Sequence, residues 1–199
     1  MTADAVEILD AEKLTTVISV VHDWGSAMCQ RMYNFYPSRV SGLIMVNVAY
    51  ILPTGQFDLD AVNKVTKEAY GFSIYECWHF LTAEDAADVM NQNLESTSPG
   101  EMRKFVTKGR TQPTLPYVTP DHKADFMDRF CKDGGFDAPS CWYKALTFAV
   151  QNEADTLVAE EAKTVKVPVF YWGGEQDFVC RPAALQLSVD AGLLRMSRV

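Results

Sequence analysis

The stretch TTVISVVHDWGS, residues 15–26, decides how this chain is read. Its β-branched run at residues 16–21 has the length of a strand, and its continuity predicts burial on both faces of a parallel sheet. The run ends in His22-Asp23-Trp24-Gly25 and passes directly into a helical pattern. Residues 26–36 place Ala27, Met28, Met32 and Phe35 at helical spacing, and Pro37 marks the end. GLIMVNV at residues 42–48 is a second buried strand. Strand, helix and strand with short joints form a βαβ unit, which predicts an α/β fold whose parallel sheet is covered by helices.

Outward from this unit the chain changes character. Residues 7–13 read as the tail of a helix. From about residue 53 to 161 the pattern is mostly helical, broken at Pro99-Gly100, Pro113, Pro116, Pro120, Gly134-Gly135 and Pro139, with no long apolar β run. VPVFYW at residues 167–172 is a third buried strand, followed by the loop GGEQD and a helix over 182–189. The plan is therefore core at 1–52, a helical insertion at 53–161 and core again at 162–199. Three parallel strands make a small sheet for 199 residues. Their flanks would carry unpaired edges, which folded proteins normally cover or charge. The chain thus reads as the middle of a larger fold, truncated at both ends, with exposed edges that favour self-association.

Composition narrows the function classes. The net charge of −8 argues against a nucleic-acid surface, which needs clustered Lys and Arg. No apolar run has the length of a membrane span, and the acidic start MTADAVEILDAEKL lacks the basic region of a signal peptide. The five cysteines, Cys29, Cys77, Cys131, Cys141 and Cys180, are scattered and form no C-x-x-C pair. That pattern reads as reduced thiols in a cytoplasmic protein, not as a zinc site.

The chemistry centres on the turn after the first strand. At a strand-to-helix elbow the central residue is strained and its side chain projects from the strand end. Here that residue is Asp23, flanked by Gly25 and Ser26, with Val21 where a smaller residue is expected. The helix N-terminus favours an anion at the turn, and the N–H of Trp24 is placed to form half of an oxyanion hole. A carboxylate at such a position attacks saturated carbon and leaves an alkyl ester on the protein. The plainer reading is that Asp23 caps the helix, since Asp is a favoured N-cap.

HDWGS, followed by Tyr36-Pro37-Ser38-Arg39-Val40 and a strand, resembles the epoxide hydrolase branch of the α/β-hydrolase fold, and the similarity runs over nearly the whole chain. The resemblance implies that Asp23 opens an epoxide ring and that the helical insertion is the cap. It implies two proton-donating cap tyrosines: Tyr75 in Ile74-Tyr75-Glu76-Cys77-Trp78, and Tyr143 in Pro139-Ser140-Cys141-Trp142-Tyr143-Lys144. It assigns Asp177, in GGEQDFV, as the acid that orients a catalytic His; the plain alternative is a surface-loop Asp. His22, Trp78 and Trp142 would belong to the substrate pocket, although any single cap aromatic is as readily simple core. The resemblance implies no metal or organic cofactor, and a small-molecule epoxide or similar apolar electrophile as substrate.

The family pattern also calls for a His beyond Asp177 and an upstream H-G-x-P segment. Only 22 residues follow Asp177 and none is His; the other histidines, His79 and His122, fall in the insertion. The expectation is a chain that is inactive or stalls after one turnover. Two further readings stay open. One is a haloalkane dehalogenase-like hydrolase, which shares the elbow Asp and the following Trp. The other is a non-catalytic fragment with a binding role.

Overall fold

A computed structural model describes residues 1–53, 57–94, 102–111, 113, 115–132 and 134–196, with backbone alone at 195 and 196. Contacts divide the chain into a core unit, Met1–Gly55 with Asn152–Val199, and a helical unit, Gln56–Gln151.

The core unit begins with helix α1 (Thr2–Ala11), strand β1 (Val17–His22), helix α2 (Trp24–Phe35) and strand β2 (Val40–Val46). After the helical unit come strand β3 (Val165–Trp172), helix α10 (Ala183–Asp190) and a short strand β4 (Leu194–Met196). The strands lie in the order β1-β2-β3-β4, all parallel. The fold class is the expected one, with one strand more: β4 pairs with β3 through three residues, too few to leave an apolar run in the sequence.

The register sorts the side chains into two faces. Ser19, Leu43 and Val169 align on one face, with Val21, Met45 and Tyr171 one step further. Helices α1, α2 and α10 cover this face: Leu9, Cys29, Met32, Tyr33, Leu185 and Val189 join Leu43, Met45, Val165 and Val169 in the core cluster. The opposite face carries the aligned rows Val20-Ile44-Phe170 and His22-Val46-Trp172. Ile18 and Val20 are 60% and 63% exposed there, and Phe170 and Trp172 are also exposed. The expectation of burial on both faces is therefore corrected. The β-branched run is the same whether one face or two are covered, and helices α1, α2 and α10 of the core unit pack on one side of the sheet.

Helix α2 differs from its sequence pattern as well. It starts at Trp24, and its buried residues are Ser26, Cys29, Gln30, Arg31, Met32, Tyr33 and Asn34. The long polar side chains are buried with hydrogen-bond partners, although Asn34 Oδ1 has none. Gln30 donates to the Ala49 carbonyl and accepts from the Ile51 N–H. Arg31 makes a bidentate pair with Asp155, both bonds 2.7 Å, and donates to the Ile51 carbonyl. Asn34 donates to the Ala162 carbonyl and to Tyr50 Oη.

The helical unit holds α3 (Leu59–Tyr70), α4 (Trp78–Leu81), α5 (Ala86–Asn91), α6 (Met102–Thr107), α7 (Pro120–Lys132) and α8 (Asp137–Thr147); α9 (Val150–Asp155) crosses the boundary. No strand occurs among its described residues. Asp58 caps α3 by accepting from the Ala61 N–H, and Gly71 ends it at φ 82°. Two of the sequence breakers mark helix starts: Pro120 opens α7 and Pro139 lies in the first turn of α8, where a missing N–H costs nothing.

Candidate functional site

The candidate site of the core unit gathers at the C-terminal ends of β1, β2 and β3. Parallel strands bring these ends to one rim, where open α/β sheets bind ligands. His22, Val46 and Trp172 form the last paired row. Beyond it, the Asp23 N–H donates to the Val46 carbonyl at 3.1 Å, and the Asn47 N–H donates to the Trp172 carbonyl at 2.7 Å.

Asp23 has φ 54° and ψ −129°. A positive φ at a non-glycine residue is uncommon and costs energy. It is held by the Val46 bond and by the Ser26 N–H, which donates to the Asp23 carbonyl at 2.9 Å. Asp23 is the N-cap residue of α2, yet its side chain makes no capping hydrogen bond. The plain capping reading therefore finds no bond to rest on. Trp24 is the first residue of α2, at the positive end of the helix dipole. His22 is exposed on the uncovered sheet face.

Asp177 lies in the loop after β3, half-buried and tied on both carboxylate oxygens. Oδ1 accepts from the N–H groups of Val179 and Cys180 at 2.8 and 2.7 Å. Oδ2 accepts from Asn47 Nδ2 at 2.8 Å. Each carboxylate oxygen has two lone pairs, so Oδ2 retains one for a further donor.

Three residues of this rim were not picked out by the sequence. Asn47, at φ 73°, reaches from the end of β2 to Asp177. Its carbonyl accepts from Tyr171 Oη at 2.8 Å. Gly173 leaves room for that phenol, since a Cβ there would stand 2.5 Å from Tyr171 Oη. Cys180 feels both acids: burial first, then the charges of Asp177 and Asp23, push its thiol up to about 11. Burial, aided by Cys180 and Asp177, also raises the Tyr171 phenol. The signal available in the sequence was only that Asn47 sits where a strand ends.

In the helical unit, Tyr75, Trp78 and Tyr143 come together. Tyr75 stacks on Trp78 at 4.4 Å, and Tyr143 meets Trp78 edge-on at 5.4 Å. Phe57 packs on the other members at 5.1 Å from Trp78 and 6.1 Å from Tyr75. Asn63 Oδ1 fixes the Tyr75 backbone by accepting its N–H at 2.9 Å. Trp142 is half-buried, next to Tyr143 on α8. The two histidines of this unit have local partners: His79 Nε2 lies 3.4 Å from Asp60 Oδ1, and His122 Nδ1 accepts from the Thr119 N–H at the start of α7.

Among the described residues no group of three or more His, Cys, Asp or Glu side chains is arranged to hold a metal ion, and no helix is long and apolar enough to cross a membrane.

A family model described as "alpha/beta hydrolase fold" matches residues 1–192. Bifunctional epoxide hydrolase 2 of Sus scrofa is 21% identical over 195 residues, covering 90% of this chain and 34% of that protein. An epoxide hydrolase structure from Vigna radiata superposes with a TM-score of 0.71 at 18% identity, over 100% of this chain and 65% of that one. Epoxide hydrolase A of Mycobacterium thermoresistibile gives 0.68 at 17% identity, over 98% of this chain and 65% of that one. The chain thus spans about a third of the curated relative's length and about two thirds of the structural relatives'.

Proposed function

The chain belongs to the α/β-hydrolase fold family, and on that premise we propose that it is an epoxide hydrolase-like protein in which Asp23 is the nucleophile. One observation carries this reading: a carboxylate stands at a strained, positive-φ elbow and its side chain is not used to cap the helix behind it. Strain held at one side chain by surrounding bonds is a mark of functional positions.

In the proposed reaction an Asp23 oxygen attacks a ring carbon of the epoxide. The ring C–O bond breaks, and its electron pair goes to the departing oxygen. That oxygen takes a proton from Tyr75 or Tyr143, and a hydroxyalkyl ester of Asp23 remains. The N–H of Trp24 would steady the oxyanion when water later attacks the ester. Asp177 would orient the base for that water, and the Asn47 bond would fix Asp177. The helical unit acts as the cap, with Trp78 and Trp142 contributing apolar pocket wall and His22 supporting the elbow. No His follows Asp177 in these 199 residues, and His79 and His122 have local partners. Where no base stands beside Asp177, the Asp23 ester forms faster than water removes it. Loss of a general base costs about 10²–10⁴-fold in rate. The five free cysteines suit a reducing compartment such as the cytoplasm.

The test is intact-mass spectrometry after incubation with styrene oxide. One adduct per chain is expected, located on the Asp23 peptide and lost in Asp23→Asn. Sustained diol formation overturns the single-turnover reading, and absence of any adduct overturns Asp23 as nucleophile. Halide release from a haloalkane at a higher rate would transfer the site to dehalogenase chemistry.

A further inference from the structure

The helical unit contains a cavity of about 200 Å³, lined by its own residues. Its walls come from four helices: Leu81 of α4, Met90 of α5, Met102 and Val106 of α6, and Ser140 of α8, with Phe136 just before α8. Leu81, Met90 and Val106 are buried, Met102 is half-buried and Pro139 is exposed, so the opening lies toward Met102 and Pro139.

Protein interiors pack closely, and voids much larger than a water molecule are few. This one is larger than the roughly 150 Å³ apolar cavity that accepts benzene in an engineered protein. Its lining is mostly apolar, with Asn93, Ser140 and Tyr143 as the polar members. Ser140 is 1% exposed, and its hydroxyl has no hydrogen-bond partner. A buried hydroxyl without a partner is unfavourable, so Ser140 marks a place where a polar atom is wanted. A water takes up about 30 Å³, so one water on Ser140 leaves most of the apolar wall of this space uncovered. Asn93 also lines the cavity, but its Nδ2 already donates to the Val89 carbonyl.

We propose that this cavity is a binding site for a small monocyclic alcohol or phenol: a six-membered ring filling the apolar walls, with one hydroxyl bonded to Ser140 Oγ. The site goes beyond the Asp23 chemistry and does not depend on it. Tyr143 lines the cavity one helical turn from Ser140, so an occupant would touch a residue of the aromatic cluster.

The experiment titrates the 199-residue chain with 4-fluorophenol, and separately with 4-fluorotoluene, which has the same ring without the hydroxyl, following ¹⁹F NMR. Wild-type chain binds both, the phenol more tightly. Ser140→Ala weakens 4-fluorophenol by about 2–10-fold, the worth of one hydrogen bond, and leaves 4-fluorotoluene unchanged. Val106→Phe fills the cavity and abolishes both signals. Met102→Trp, at the half-exposed opening, does the same without disturbing a fully buried residue. Asp23→Asn leaves both affinities at wild-type values, which separates this site from the proposed nucleophile. Absence of binding to wild-type chain overturns the proposal. So does undiminished binding in Met102→Trp, or an equal loss of both ligands in Ser140→Ala.

Discussion

Replacing Asp23 by glycine and by alanine isolates the strain at the elbow. Both changes remove the carboxylate, and with it any repulsion from Asp177, so comparing them cancels charge. They differ in the backbone. At φ 54° and ψ −129° an alanine keeps the strain that aspartate bears, whereas glycine has no Cβ to clash. Such conformations cost about 1–3 kcal/mol for a non-glycine residue. Against this, glycine loses about 0.5–1 kcal/mol more conformational entropy on folding. At mid-range, about 2 against about 0.75, Asp23→Gly should therefore exceed Asp23→Ala in stability by about 1 kcal/mol. In a chain of this size that is roughly 2–4 °C in Tm, taking about 2–4 °C per kcal/mol. Urea midpoints at equal slope give the difference directly. Gly25 supplies the internal control. It is helical, and an added Cβ would make an ordinary 3.5 Å contact with Val21 Cβ. There the order reverses, with alanine favoured by up to about 1 kcal/mol. If Asp23→Ala equals or exceeds Asp23→Gly, the elbow stores no strain and the reasoning from backbone to function fails.

Other consequences are equally direct. Asp155→Asn leaves the Arg31 guanidinium buried beside a neutral partner and should destabilise the core unit by about 3–5 kcal/mol; the double change Arg31→Met with Asp155→Leu should cost much less, as urea unfolding will read. Cys180 should be alkylated by iodoacetamide near pH 8.5 about two orders of magnitude more slowly in the folded chain than in the urea-unfolded chain, and Asp177→Asn should speed it, with rates read by peptide mass spectrometry. Because the folded thiol titrates near 11, above its ordinary 9.0, the folded state holds the extra proton between those values. Its contribution to stability is complete below about pH 9 and is lost as pH rises through 11, so Cys180→Ser should flatten that part of the stability profile. Ile18→Thr with Val20→Thr should lower dye binding to the open sheet face and reduce self-association in sedimentation velocity at little cost in stability, since both side chains are exposed; unchanged association would place the contact elsewhere.

What the sequence disclosed follows from where the information is local. Strand runs, the elbow and the helix behind it depend on neighbours within a dozen residues, and residues 15–48 displayed them. The two-sided burial of β1 was misjudged because Ile18 and Val20 look the same against helices as against water. Gln30, Arg31 and Asn34 are buried by partners up to 128 residues away, so no periodicity in α2 could announce them. Strand β4 is defined by backbone pairing over three residues. At the site, Asp23 and Asp177 stood out through their motifs, whereas Asn47 has meaning only once β2 and β3 lie side by side. The Ser140 cavity is a property of four helices together and has no sequence signature.

The buried polar face of α2 has an evolutionary consequence. Gln30 and Arg31 hold the chain at Ala49 and Ile51 as it leaves the sheet. Arg31, Asn34 and Tyr33 hold it again at Asp155, Ala162 and Thr164 as it returns. Both feet of the intervening segment are thus pinned to a single helix, by bonds that do not involve what lies between. Doubling the length of a connecting segment adds only about 0.6 kcal/mol of closure entropy. Changes of length between the two feet leave these anchoring bonds, and the sheet register behind them, in place.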